Sequence, residues 1–335
     1  MQLLRKLLFP FSLLYGAVVH IRNFLYDRNI LISKKFDVTT ICIGNLSVGG
    51  TGKTPMTEFL IELLQPHYKI AVLSRGYRRK SAGFVLANES TTVEELGDEP
   101  FQIHQKFKDT TVAVDANRRE GIKKLSEQVS PNLILLDDAY QHRKVKPDFS
   151  LLLTSFGDLY VDDWYLPTGN LRDSKKAAGR AHVIIVTKCP QGLSEDDQER
   201  IKKKLKPKKH QKVLFSYLEY DNMVHGHLHQ LEVEELKGRK ITLVTGIANP
   251  VPLVNHLKNM GLDLDHLAFG DHHFFSEREV ETLKKKEIIV TTEKDYVRLG
   301  KGIPNLYYLQ VKHRFMDDGK QMISEALQEI MKGKS

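Results

Sequence analysis

The sequence predicts an α/β protein, a parallel sheet with helices on both faces followed by a second, smaller α/β unit. Three observations carry that expectation. Short aliphatic or β-branched runs (39–43, 70–73, 111–114, 133–136, 150–153 and 183–186) alternate with longer helical patterns. The glycine-rich stretch GNLSVGGTGKTP, residues 44–55, lies between the first of these runs and a helical one. After a charged stretch, SEDDQERIKKKLKPKKHQK, a fresh series of strands and helices opens with ITLVTGIANP.

Length and composition fit this picture. The 335 residues exceed the roughly 100 to 200 of a typical domain, so two domains are expected. With 41% hydrophobic and 27% charged residues the chain is an ordinary globular protein and not a disordered one. Cys42 and Cys189 are too few for a disulfide framework, and Cys42 falls inside an apolar run where core packing is expected; a reducing compartment suits both. The net charge of +8 points to an anionic partner without choosing among nucleic acid, a phospholipid surface and a phosphorylated substrate.

The N-terminal stretch MQLLRKLLFPFSLLYGAVVHIRNFLYDRN is rich in Leu, Phe and Tyr, with basic residues interleaved and no acid before Asp27. Its apolar run, residues 7–19, contains Pro10 and falls short of the about 20 residues that span a bilayer, so no crossing is expected. No small-residue cleavage site follows the Arg5-Lys6 start, which argues against a signal peptide. Two readings remain: an amphipathic segment lying among lipid headgroups, and a helix packed on the domain.

The first strand, TTICIG, runs straight into the glycine-rich stretch. A phosphate-binding loop reads Gly, four free positions, then Gly-Lys-Ser/Thr, and here Ser47 stands where the first glycine belongs. The strand before and the helical TEFLIELLQ after supply the context the motif requires. Gly49, Gly50 and Gly52 let backbone N–H groups converge on phosphate, Lys53 adds a point charge, and Thr54 offers a hydroxyl to Mg²⁺. Ser47 is tolerable if its φ is negative.

The later strands end in SRGYRRK, DANRR and LDDAYQHR, and in parallel sheets ligands gather at such carboxyl ends. Asp137 and Asp138 are the acids expected to hold Mg²⁺ beside a phosphate loop. His142 and Arg143 follow, within reach of phosphate or substrate or serving as a helix cap. Arg75, Arg78, Arg79 and Lys80 are suited either to clamping anionic oxygens or to a solvated loop. In GDEP, Asp98 and Glu99 precede a helical pattern, as caps or as a general base and metal ligand.

Beyond residue 210, KVLFSYLEY and HGHLHQLEVEEL alternate like a pair of strands, and the strands of the second unit are expected at 241–246, 264–269, 288–291 and 306–309. FGDHHFFS sets Asp271, His272 and His273 in a turn; no further ligands at zinc spacing accompany them, so an orienting or acid/base histidine is the simpler reading. TTEKD (291–295) is unspecific by itself. The expected divisions are an N-terminal helical segment (1–36), a nucleotide-binding core (37–210), a two-stranded linker (211–240) and a smaller C-terminal α/β domain (241–335).

Taken in order, LLFPFSLLYG, RNFLYD, GNLSVGGTGKTP, SRGYRRKS, GDEP, LDDAYQHR, LPTGNLRD, DHHFFS and TTEKD make the chain resemble the tetraacyldisaccharide 4'-kinase family of the lipid A pathway. The resemblance covers most of the chain. It implies a P-loop kinase-like parallel sheet core joined by a two-stranded linker to the smaller domain, with the site in the cleft. It implies ATP-dependent phosphorylation of the 4'-hydroxyl of tetraacyldisaccharide 1-phosphate, giving lipid IVA, with ATP and Mg²⁺ as cofactors. The implied partners are that acylated disaccharide phosphate lipid and, through the N-terminal segment, the inner-membrane surface, with no nucleic acid. The place so implied is peripheral, on the cytoplasmic face of the bacterial inner membrane.

Residue by residue, the resemblance gives Ser47, Val48, Gly49, Gly50, Thr51, Gly52, Lys53 and Thr54 to the nucleotide, with Lys53 also catalytic. It gives Thr54, Asp137, Asp138 and Glu99 to the metal. Asp98 resembles the family's catalytic base and His272 its partner from the other domain; Arg75, Tyr77, His142 and Arg172 resemble further active-site positions. DANRREG departs from the family by carrying Asn117-Arg118 where Asp-Arg is often met, so Asn117 is given no catalytic role. The rival reading, a membrane-associated P-loop ATPase or GTPase switch, accounts for the loop, Asp137 and the N-terminal segment but leaves GDEP and the second domain without work. A noncatalytic nucleotide-binding scaffold would bind ATP tightly and transfer nothing.

Overall fold

The computed structural model describes residues 5, 7–300 and 302–333. The first four residues and residue 6, at the start of the expected lipid-facing segment, lie outside that description, as do residues 301, 334 and 335. Helix α1 (Phe9–Asp27) opens the described chain, with Pro10 in its first turn, where a missing N–H costs nothing. Next come β1 (Thr39–Asn45), α2 (Lys53–Leu64), β2 (Ile70–Ser74), β3 (Val85–Leu86), α3 (Val93–Leu96), α4 (Asp98–Lys106), β4 (Thr111–Val114), α5 (Arg118–Gln128), β5 (Leu133–Leu136), β6 (Phe149–Ser155) and β7 (Val183–Thr187). The second half holds α6 (Glu195–Leu205), β8 (Lys212–Gly226), β9 (Gln230–Glu232), β10 (Ile241–Thr245), α7 (Val251–Asn259), β11 (Leu264–Ala268), α8 (Glu277–Leu283), β12 (Ile288–Thr292), α9 (Glu293–Leu299), β13 (Leu306–Phe315) and α10 (Gly319–Lys332).

Among the described residues the thirteen strands belong to one sheet, ordered β11-β10-β12-β13-β8-β7-β6-β1-β5-β2-β4-β3, with β9 beside β8. Pairing is parallel except where β3 meets β4 and where β8 meets β13 and β9. The central strands read as unbroken apolar runs because both faces are covered, and β1, β2, β5 and β7 are buried at every position. One core layer gathers Met56, Leu60 and Ile61 of α2 against Ile43, Val72 and Leu135. The other packs Ile122 and Leu125 of α5 on Leu73, Ala113 and Leu136. Cys42 and Cys189 are buried free thiols, and burial pushes Cys42 up to about 12, which leaves it an inert core residue.

The expected strand pair over 211–240 takes a different form. β8 runs for 15 residues, pairs parallel with β7 through Phe215 and then antiparallel with β13, whereas β9 covers only three of its positions. A strand this long presents more backbone groups than β9 can satisfy, and β13 supplies the rest. The C-terminal helix also leaves the second unit: Ile323 and Leu327 of α10 join the core layer under α2, and Phe315 packs on Phe59 with ring centroids 5.0 Å apart. The core of the second lobe gathers Leu243 of β10, Val290 of β12 and Leu309 of β13 with Val224 of β8, Leu299 of α9 joins Val244 and Ile289, and the chain returns to the first core at Phe315, the end of β13.

Helix α1 rests on residues 163–173. Ser12 donates to Thr168 Oγ1 at 2.8 Å, Asn23 donates to Asp173 at 2.7 Å, and Tyr15 donates to the Arg172 carbonyl at 3.0 Å. Its outer face leaves Phe11, Leu13, Leu14, Val18, Ile21 and Phe24 exposed. Among the described residues, no helix is long and apolar enough to cross a membrane.

Candidate active site

Sheet order brings the strand ends together: β1, β5, β2 and β4 are consecutive neighbours, so the loops after Asn45, Leu136, Ser74 and Val114 open on one edge. The loop after β1 is held from three sides. The Val48 N–H donates to the Asn170 carbonyl at 2.7 Å, Thr187 Oγ1 donates to the Thr51 carbonyl at 2.9 Å, and His313 Nε2 lies 2.9 Å from the Gly52 carbonyl. Burial lowers His313 to about 4, so the ring is neutral, donating from Nε2 to that carbonyl and accepting from Ser216 at Nδ1. Gly52 caps α2 with φ +83°, and a Cβ there would lie 2.8 Å from His313 Nε2, so glycine is required twice over. Ser47 has no positive φ, which meets the condition for a serine at that position. A cavity of about 270 Å³ opens beside the loop, lined by Gly49, Gly50, Thr154, Phe156, Lys188 and Asn249.

Asp137 and Asp138 follow β5, and the structure separates their roles. Asp138 carries a left-handed φ of +45° and gives both oxygens to Arg172, with Lys53 Nζ 3.7 Å from Oδ1; these cations outweigh burial and hold its carboxyl below the usual range. Asp137 is buried deeper. It accepts from Ser74 at 3.1 Å, while the guanidinium of buried Arg118 donates to its carbonyl at 3.1 Å. Burial, then the charges of Glu99 and Asp138, push the Asp137 carboxyl well up.

The second lobe meets this edge at Asp98, the first residue of α4. Asp98 is 6% exposed; its Oδ2 lies 2.7 Å from His272 Nδ1 and 3.0 Å from Arg298 Nε. Burial raises its carboxyl, but the His272 hydrogen bond and the charges of Arg298 and Lys294 overcome burial and hold it below the ordinary value. Lys294 Nζ donates to His272 Nε2 at 3.1 Å, so the ring proton is on Nδ1 and is donated to Asp98. Gly97, with φ +86°, makes this entry possible: a Cβ would stand 2.7 Å from the Tyr77 carbonyl.

The remaining expected positions are distributed unevenly. Tyr77 is exposed and stands edge-on to His272, ring centroids 5.5 Å apart. Arg75 is exposed at the strand end, and Arg78 reaches across to the Asp271 carbonyl at 3.3 Å. Burial, then the charges of Arg118, Lys144 and Arg75, push His142 down to about 4, and its Nε2 is buried without a partner. Glu99 pairs with Lys294 at 3.4 Å. Thr54 lies in the first turn of α2. Sequence reading missed Arg298, whose fully buried side chain joins Asp98 to Asp295 and donates to the Gly246 and His273 carbonyls. Its position i+3 from Asp295, on a strand-ending helix, was the available signal.

The residues fit a nucleotide with Mg²⁺. The buried Ser47 Oγ has no partner, beside the loop glycines, and Asp137 is a buried acid set next to the charges of Glu99 and Asp138. Among the described residues no three acidic, His or Cys side chains form a ready metal cage. Mg²⁺ is usually bound by one or two carboxylates together with substrate phosphates and water, and Asp137 and Asp138 could supply such carboxylates.

Comparisons with known proteins point to one family. The family model for tetraacyldisaccharide-1-P 4'-kinase matches residues 4–332. A tetraacyldisaccharide 4'-kinase of Flavobacterium johnsoniae is 52% identical over 98% of both chains. One from Bacteroides thetaiotaomicron is 46% identical over 88% of this chain and 83% of its own. A crystal structure of LpxK from Aquifex aeolicus in complex with ATP superposes with a TM-score of 0.84 at 30% identity, covering 98% of this chain and 99% of that one.

Proposed function

The chain belongs to the tetraacyldisaccharide 4'-kinase family, and we propose that in this ATP-dependent lipid A kinase Asp98 is the base that accepts the 4'-hydroxyl proton. The observation that carries this reading is the Asp98–His272 pair, formed between the two lobes beside the phosphate loop. Both cross-lobe contacts fall on Oδ2, from His272 and Arg298, which leaves Oδ1 to meet the acceptor. The reaction joins the sugar oxygen to the γ-phosphorus of ATP, breaks the bond to the β–γ bridging oxygen, and moves the hydroxyl proton to Asp98.

Phosphoryl transfer demands positioning and neutralisation of charge more than covalent chemistry. Of the loop residues Ser47 to Thr54, Val48 and Thr51 spend their N–H groups on holding the loop, the N–H groups of Gly49, Gly50, Gly52, Lys53 and Thr54 are turned to the phosphates, and the Lys53 ammonium draws off developing charge. Thr54 and Asp137 would hold Mg²⁺, with Glu99 and Asp138 adding negative charge nearby; the ion, when bound, neutralises phosphate oxygens. Arg172 orients Asp138 and, with Arg75, Tyr77 and His142, lines the approach for the anionic substrate. The exposed apolar face of α1 suits the inner-membrane surface that carries the lipid acceptor, a peripheral attachment in the headgroup layer.

The test is Mg²⁺-dependent transfer of labelled γ-phosphate to tetraacyldisaccharide 1-phosphate in detergent. Transfer by the native chain and its loss in Lys53→Ala support the reading. ATP hydrolysis by a folded protein with no lipid product would turn the assignment to a membrane-associated nucleotide switch.

A further inference from the structure

The charges of TTEKDYVR, residues 291–298, are not surface decoration. Three of them meet helix α4: Arg298 pairs with Asp98 at 3.0 Å, Lys294 with Glu99 at 3.4 Å, and Glu293 with Lys106 at 2.8 Å. Lys106 differs from the other α4 members because it reaches a third element. Its Nζ lies 2.7 Å from Glu58 Oε2 on α2, whose other oxygen accepts from Gln102 Nε2 of α4 at 2.8 Å. The Glu58 side chain is 4% exposed, that of Glu293 9% and that of Lys106 14%, so this is an interior cluster at the opposite end of α4 from Asp98.

We propose that Lys106 is a positioning residue for phosphoryl transfer: clamped between Glu58 and Glu293, it fixes α4, and with it Asp98, against both the phosphate-loop helix and the second lobe. Lys53 begins α2 and Asp98 begins α4, so the spacing of these two helices sets how far the base stands from the phosphate that Lys53 meets. A cation joining the two helices in the interior holds that spacing, and its bond to Glu293 holds the lobe that carries His272. Burial raises the Glu293 carboxyl and the Glu58 charge raises it further, while Lys106 draws it back, so the cluster coheres only with its cation in place. A two-carboxylate clamp on one ammonium is more than surface solubility needs, and buried charges persist where they are paired.

This inference rests on the kinase reading, so its test has one arm that needs no lipid. In Lys106→Met we expect kcat for lipid phosphorylation to fall roughly ten- to a hundredfold, the scale of a 1 Å misplacement, with KM for ATP within about twofold of native. Amide hydrogen exchange should quicken in residues 97–107 and 271–273, and Lys106→Arg should restore most of the turnover. Should Lys106→Met fail to fold, Glu293→Gln, which keeps the shape and removes one charge, is expected to give the same kcat loss and the same exchange pattern. Unchanged kcat, a rise in KM for ATP at constant kcat, or unaltered exchange at 271–273 would overturn the proposal. If the native protein fails to phosphorylate the lipid, the kinase reading falls, and the exchange arm still decides whether Lys106 docks the lobes.

Discussion

His272 Nδ1 stands 2.7 Å from Asp98 Oδ2, and the two residues are brought together by the end of one lobe's strand and the start of the other lobe's helix. Neither residue makes this contact without the other lobe, so Asp98, as the proposed base, is completed only when the lobes meet. Asp98→Asn keeps the shape and removes the base. Its kcat should drop about 10²- to 10⁴-fold, the usual range for a lost general base, with ATP affinity unchanged by calorimetry. His272→Ala should cost less, since Arg298 still holds the carboxylate. An Asp98→Asn protein with near-native turnover would remove Asp98 from the chemistry.

Arg298 makes a prediction about pH. Its guanidinium and His272 outweigh the burial of Asp98 and keep that carboxyl below the ordinary value of about 3.9. A depressed folded-state value means stability that is present above the unfolded value and lost as pH falls through the folded one. Turnover should follow the same sign, falling on the acid side as Asp98 takes a proton. In Arg298→Met burial acts unopposed by that charge, so the acid limb of kcat/KM moves to higher pH. The variant also leaves Asp98 and Asp295 short of a buried partner, a loss of about 3–5 kcal/mol in denaturant unfolding. Arg298→Lys should keep part of the pH profile and less of the geometry.

Why some of this was legible in the sequence and some not follows from range. The strands and the loop at 44–55 declare themselves through local signals: apolar runs buried on both faces, and glycines at the mouth of a helix. The pairing of β8 with β13 does not, because it joins segments about ninety residues apart and either strand alone alternates well enough to pair elsewhere. Asp98 and His272 stand out only through the order of motifs that carries the family resemblance, and their spacing in the chain carries no trace of their contact. Arg298 and Lys106 were passed over because a cation among helix charges looks like a solvated face until the fold buries it.

Gly97 supplies a steric test of the same site. Its φ of +86° and the 2.7 Å approach of a hypothetical Cβ to the Tyr77 carbonyl mean that alanine must shift the entry to α4. Gly97→Ala should lose about 1–3 kcal/mol from the backbone conformation, read as a lower Tm. Because Asp98 is the next residue, kcat should fall by more than the loss of folded protein explains. Native kcat per folded molecule would show that the helix start tolerates movement.

The last prediction concerns the face of α1 turned away from the protein. Leu14 is 66% exposed there, between Phe11 and Val18 on the same outer surface, while Ser12, Gly16 and Asn23 face residues 163–173. Trp164, packed edge-on to Phe9 with centroids 5.5 Å apart, extends the apolar patch on the protein side and has the amphipathic ring favoured at lipid interfaces. An apolar surface so placed gains free energy by entering the headgroup boundary, roughly in proportion to the area it buries. Leu14→Asp puts a charge at its middle and touches neither the loop nor Asp98. Sedimentation with anionic phospholipid vesicles should fall severalfold in the variant, with phosphorylation of acceptor in detergent micelles close to native. Equal vesicle binding by both proteins would assign membrane attachment to a different surface, and equal loss in micelles would mean that α1 contacts the acceptor lipid itself.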